Sequence, residues 1–152
     1  MRSERCLRLV KGLVSGWWKD VGTPKSLLEA LYLLLDEAPP RVEGDVKGEV
    51  IGRVVVERGA VVEDRVYGPA YIGRNTFIGK NAVIEHHMSI EQNAKIASGS
   101  ITRLIIMDDA TININKLRLI DNIIGRYSVV RCLKEVHGEI KLAISDYSRV
   151  EL

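Results

Sequence analysis

Apolar and polar residues alternate in this chain with a period that belongs to neither a helix nor a meander. Between Val66 and Ile101 it divides into six consecutive hexads, VYGPAY, IGRNTF, IGKNAV, IEHHMS, IEQNAK and IASGSI. Val66, Ile72, Ile78, Ile84, Ile90 and Ile96 open them. Four places on stands a small residue, Ala70, Thr76, Ala82, Ala94 or Ser100, with Met88 as the exception. A helix turning every 3.6 residues cannot hold a strict period of six, and hairpins need wider spacing between turns. A coil of very short strands can hold it. Each hexad forms one wall of a prism, the aliphatic residue fills the interior, and the small residue leaves room at the bend. Gly73, Gly79, Asn75, Asn81 and Asn93 occupy positions where left-handed or tight backbone comes most easily. Three walls make a turn, and turns stack about 4.8 Å apart. The pattern predicts a left-handed parallel β-helix.

The flanks follow this period loosely. Val42, Val54 and Ala60 share the phase of the main run, with Gly48 interrupting it. After Ile101 a second phase runs through Ile106, Ile112, Ile124 and Val130, with Ala110 and Ser128 at the small position and Arg118 as a misfit. Residues 102–105 then read as an extra loop at a corner, and four to five turns are expected. Ahead of the coil the pattern is different. Arg8 to Val14 alternates like a short strand. Thr23 is placed to cap a helix whose first position is Pro24, where a missing N–H costs nothing. Leu27, Leu31, Leu34, Leu35 and Ala38 share one face, Leu28, Tyr32 and Leu33 widen it, and Pro39-Pro40 ends it. So broad a face suggests a partner beyond the helix's own domain. The expected organisation is 1–40, the end of one domain plus a linker helix; 41–135, the coil; and 136–152, a segment that loses the period and caps the open end.

Composition narrows the function. The 152 residues carry 22 Lys and Arg against 20 acids, spread along the chain, and one Phe. Without a clustered basic stripe or stacking aromatics, nucleic acid is not an expected partner. Ala30 to Leu35 is the longest apolar run, far short of the ~20 residues that span a bilayer. With no secretion-signal pattern at the start, a cytoplasmic protein off the membrane is expected. Cys6 and Cys132 form no CxxC pair and read as reduced thiols.

Few residues suggest chemistry. His86-His87 is the one doublet that offers a general base for acyl transfer. At turn-side positions of a hexad, however, solvated wall residues are the preferred reading. Neighbours on an extended chain point to opposite faces, so neither this pair nor Asp108-Asp109 is expected to share an ion or a proton. His137 has no assigned role. No GxxxxGK[ST] or GxGxxG stretch is present to cradle phosphate. There remains SGWWKDVGTP, Ser15 to Pro24. Here Trp17 and Trp18 could line a sugar or base pocket or belong to a core, and Asp20 could give Mg²⁺ one oxygen.

Gly16-Trp17-Trp18-Lys19-Asp20-Val21-Gly22-Thr23-Pro24, followed by Leu27-Leu28-Glu29-Ala30 and Leu33-Leu34-Leu35-Asp36, resembles the long-form glucose-1-phosphate thymidylyltransferases. VEGDVKGEV (42–50), YGPAYIG (67–73), IEHHMSIE (84–91), DNIIGR (121–126) and SDYSRVEL (145–152) look like that family's tail. The resemblance implies the end of a nucleotidyltransferase domain, a helix and then the coil, with Asp20 on Mg²⁺; Trp17 and Trp18 beside it are the candidate substrate-binding pair. The family's GxGTR loop, its second metal-binding aspartate and its phosphate-binding lysine have no counterpart here, and Val21 replaces a usual Thr. The archaeal bifunctional relatives' HxxY…GD and GAGT-like acyltransferase patterns are not visible. The expectation is therefore a C-terminal fragment or split subunit serving assembly and regulation as a homo-oligomer. It would be inactive until joined by a separately encoded catalytic domain. Two alternatives remain open: a trimeric hexad-repeat acyltransferase using His86 or His87, and a purely structural oligomerisation prism.

Overall fold

The computed structural model describes residues 24–152, so the strand expected at Arg8–Val14 and the cap expected at Thr23 lie outside the described residues. Helix α1 (Pro24–Glu37) is followed by fourteen short strands, all of whose pairings are parallel. They are β1 (Arg41–Val42), β2 (Asp45–Val46), β3 (Glu49–Ile51), β4 (Val54–Val56), β5 (Val61–Val62), β6 (Arg65–Tyr67), β7 (Ala70–Ile72), β8 (Phe77–Ile84), β9 (Met88–Ile90), β10 (Lys95–Ile106), β11 (Thr111–Ile124), β12 (Val129–Arg131), β13 (Gly138–Ile140) and β14 (Arg149–Glu151). The described residues are mainly β, a parallel β-helix with one helix on its flank.

Its register defines three walls. The first stacks β1, β4, β7, β9, the end of β10 and the end of β11, and finishes at a bridge between Ile124 and Ile144. The second stacks β2, β5, the starts of β8, β10 and β11, then β12 and β14. The third stacks β3, β6, the end of β8, the middles of β10 and β11, and β13. The third wall has six layers and the others seven, which makes six turns and two further walls instead of the four to five turns expected. Residues 136–152 supply the last of these, with β13, Ile144 and β14 stacked in parallel on the turn before.

The interior is a column of aliphatic plugs. All six hexad-opening residues from Val66 to Ile96 are fully buried, as are Ile101, Ile106, Ile112, Leu119, Ile124 and Val130. Burying each contributes roughly 1.5–3 kcal/mol. Met88, the exception at a small position, is fully buried, and its Sδ accepts the Leu104 backbone N–H at 3.2 Å. The small-position residues Ala70, Thr76, Ala82 and Ala94 also face inward, at 2% exposure or less.

Three expectations change. First, Val54 and Ala60 are buried at the small position, and the plugs beside them are Val56 and Val62. The phase shifts because Val62 and Val66, plugs of adjacent walls, are only four residues apart. Second, residues 102–105 lie within β10, where Ile101 and Ile106 are one residue closer than Ile84 and Ile90. The extra residues come at the next corner but one: Ser98 pairs with Asn113 and Ser100 with Arg118, so one residue of β10 faces four of β11. Arg118 is therefore no misfit. Leu117 and Leu119 turn inward, and Arg118 bonds Glu85 at 2.6 Å and approaches Glu139 at 3.6 Å. Third, positive φ belongs to Asn75 and Asn93 as read, but Asn81 lies within strand β8, and Gly73 and Gly79 are set by close packing. A Cβ on Gly73 would stand 2.7 Å from the Glu91 carbonyl carbon.

Candidate functional site

Helix α1 lies against the outer face of the first wall. Leu28, Leu31 and Leu35 form one buried cluster with Ile105 and Met107, flanked by Leu27, Tyr32, Tyr71 and Ile123. The coil itself thus covers much of the face that suggested an outside partner, while Leu33 stays 48% exposed. Polar contacts fix the helix end. The Arg53 guanidinium donates to the Asp36 carbonyl at 2.8 Å, and His87 Nε2 meets the Asp36 carboxylate at 3.2 Å. The His87 ring packs on Tyr32 with centroids 4.7 Å apart. Burial, then the nearby Asp121 carboxylate, raises the Tyr32 phenol above its ordinary value.

Trp17, Trp18 and Asp20, the expected substrate and Mg²⁺ residues, lie outside the described residues. Among the described residues no three His, Cys, Asp or Glu side chains converge to hold a metal ion. His86 and His87 part company. His87 is used in holding the helix. His86 Nδ1 lies 2.8 Å from the Gly68 carbonyl oxygen, which can only accept, so the ring donates from Nδ1 and Nε2 remains the basic nitrogen. Asp108 is buried and accepts from the Gln92 amide at 3.4 Å, whereas Asp109 forms a corner at φ 60°. Cys132 carries a free thiol that donates to the Lys134 carbonyl at 2.6 Å. Cys6 lies outside the described residues. No helix among the described residues is long and apolar enough to cross a membrane.

Hexad reading missed a groove of 540 Å³ at the corner between the second and third walls. The plugs bounding that corner are Val46 and Val50, Val62 and Val66, Ile78 and Ile84, Ile96 and Ile101, Ile112 and Leu119, then Val130 and Ile140. Their separations are four, four, six, five, seven and ten residues, so late corners overhang early ones. Asp64, Lys80 and Asn81 line the lower part; Asn115, Lys116 and Glu135 line the overhang.

Interior packing shapes the overhang. Ile114 is fully buried because Gly99 sits at φ 116°, and a Cβ there would come within 2.2 Å of Ile114 Cγ1. The Ser98 hydroxyl donates to the Asn113 side chain at 2.6 Å and accepts the Asn115 backbone N–H at 2.9 Å, which holds Asn115 at φ 55°. Lys116 and Glu135 join the two long corners at 2.7 Å, a bond that raises the Lys116 ammonium and lowers the Glu135 carboxyl from their ordinary values. The signal for this groove was the slip in period after Ile112.

Residues 69–103 match the family model described as bacterial transferase hexapeptide (six repeats). The chain is 32% identical over 143 residues to the glucose-1-phosphate thymidylyltransferase of Streptomyces griseus, covering 92% of this chain and 40% of that protein. The Streptomyces antibioticus enzyme of that name gives the same identity and coverage. The protein named bifunctional protein GlmU of Methanocaldococcus jannaschii is 31% identical over 145 residues, covering 70% of this chain and 36% of that protein. The chain therefore spans well under half the length of the relatives it matches. It is a hexapeptide-repeat β-helix similar, over nearly its whole length, to the C-terminal region of glucose-1-phosphate thymidylyltransferases.

Proposed function

We propose that this chain is the coil module of a sugar-1-phosphate nucleotidyltransferase of the glucose-1-phosphate thymidylyltransferase type, serving assembly and regulation and working as an oligomer. One observation carries the reading: similarity to such enzymes over 92% of the chain leaves too little unmatched to omit either helix α1 or the coil. In the reaction the relatives' name describes, a glucose 1-phosphate oxygen attacks the α-phosphorus of dTTP and pyrophosphate leaves. Mg²⁺ supplies charge neutralisation when bound. Asp20 would give it one oxygen, and Trp17 and Trp18 would bound the substrate. One carboxylate cannot align two anionic substrates, so a nucleotide-binding domain must complete the site.

The test is direct. Purified chain with Mg²⁺, dTTP and glucose 1-phosphate should release no pyrophosphate. Co-expression with a nucleotide-binding domain of this family should give co-purification and turnover. Turnover by the chain alone, or failure of the two to associate, overturns the proposal. A second reading, acyl transfer, is favoured by one contact, the Gly68 carbonyl that leaves His86 Nε2 basic. Acetyl-CoA consumption that disappears in His86→Ala would select it.

A further inference from the structure

We infer that the first turn of the coil is a two-fold joint to a second copy of this chain. Among the described residues β1, β2 and β3 each pair with one neighbour only, β4, β5 and β6, so their other edges are open at this end. An open strand edge is a template for another strand. The residues that form it, Val42-Glu43-Gly44-Asp45-Val46-Lys47-Gly48-Glu49-Val50, read alike in both directions about Val46, apart from the exchange of Asp45 for Lys47. The plugs Val42, Val46 and Val50 stand four residues apart, one to each wall. A two-fold axis across the end of the coil reverses strand direction, and in an evenly climbing turn it passes through the middle strand. Val46 then faces the partner's Val46, Val42 faces the partner's Val50, and Asp45 faces the partner's Lys47, twice over.

The match goes beyond guarding an edge, because charges that only discourage pairing have no need to complement one another across an axis. Asp45 and Lys47 stand 4.0 Å apart within one chain, both mostly exposed and free to exchange partners across the joint. Glu43 opposite the partner's Glu49 is the one like-charged pair. Each has an arginine in the next layer, Arg58 at 3.6 Å from Glu43 and Arg65 in register with Glu49. The end is also uncovered: Val42 is 50% and Ile51 38% exposed. Helix α1 stays on the outer face of the first wall, where the Tyr32 phenol reaches Asp121, beside the sixth layer, and the Asp36 carbonyl meets Arg53, beside the second. The opposite end of the coil lacks this symmetry, since its plugs Ile140, Ile144 and Val150 stand four and six residues apart. The stretch from Arg41 to Ile51 is shorter than the about 20–30 residues a side of a standard interface, which makes the joint a weak one. It gives the oligomeric role proposed above its symmetry, and in that respect rests on that reading.

The test is sedimentation of the full chain at up to about 200 µM, where a joint of this class is populated. Lys47→Asp, which places a carboxylate opposite the partner's Asp45 at two points, should weaken self-association about tenfold. Asp45→Lys/Lys47→Asp should return it to within about threefold of the parent, because under two-fold symmetry the exchanged charges still face each other. In a Cys6→Ser/Cys132→Ser background, Val46→Cys should give a disulfide-linked dimer under mild oxidation, since opposed residues of an antiparallel pair lie within disulfide range. Ile144→Cys, in the last layer, should give none. A chain that stays monomeric, or a Val46→Cys variant that does not cross-link, overturns the inference. So does Lys47→Asp associating as tightly as the parent, a double exchange that fails to recover, or equal cross-linking through Ile144→Cys. Association that ignores the first-turn substitutions removes the joint and leaves the oligomeric role in place. Pyrophosphate release and co-purification report on the nucleotidyl-transfer proposal alone.

Discussion

Beneath helix α1 the first wall presents Tyr71, Ser89, Ile105 and Ile123 in successive turns. Ser89 is fully buried, and its hydroxyl has no hydrogen-bond partner. A buried hydroxyl without a partner costs about 1–3 kcal/mol, so Ser89→Ala should raise stability by about 1 kcal/mol in urea unfolding. Asp121 is the opposite case. Arg103 grips it through two nitrogens, and that bond holds the Asp121 carboxyl below its ordinary value of 3.8. A depressed folded-state value adds stability that is complete above the ordinary aspartate range and is lost as pH falls from there through the lower, folded-state value. The stability gap between the parent and Asp121→Asn should therefore be constant above about pH 5 and shrink toward acid. Single residues were read unevenly. Hexad position told which side chains face inward, but Ser89 and Met88 share the outcome of burial for different reasons. One lies under the helix and the other inside the coil, and the spacing of a single strand cannot tell those apart.

At the scale of elements, helix α1 shows both the reach and the limit of pattern. Its start, end and apolar face are legible, yet a face carries no label for what it packs on. The structure seats Leu28, Leu31 and Leu35 on Ile105 and Met107. Leu31→Ala should cost 2–5 kcal/mol, as buried Leu truncations do, and should raise hydrogen exchange in the helix before the coil loosens. Corner lengths were the least legible element. A wall needs an inward plug and its neighbours, while the residues between walls answer only to the reach of the chain. Period six therefore holds where corners are uniform and slips where they lengthen. Gly99→Ala tests the longest-range consequence of such a slip. Its φ of 116° and the 2.2 Å approach to Ile114 predict a loss well above the ~1 kcal/mol of an ordinary glycine effect, measured by denaturation.

For the whole molecule, the stacking scheme predicts a gradient. Ile96 is fully buried at mid-coil, whereas Ile144 in the last layer is only partly covered. Ile96→Ala should cost 2–5 kcal/mol and Ile144→Ala less than half as much, because each turn draws stability only from its neighbours. The architecture was the most legible level of all, since a period kept over six hexads has few physical realisations. The resemblance that explains SGWWKD was legible too, although those residues lie outside the described ones. Pairing that reaches only the adjacent layer has an evolutionary corollary. Val62 meets Ile78 sixteen residues on, and Ile78 meets Ile96 eighteen on. Duplication or excision of one such unit would lengthen or shorten the rod while leaving each remaining joint as it was. Descendants of one ancestor could then differ in span by whole coils, a ruler adjustable by gene recombination without redesign of either tip.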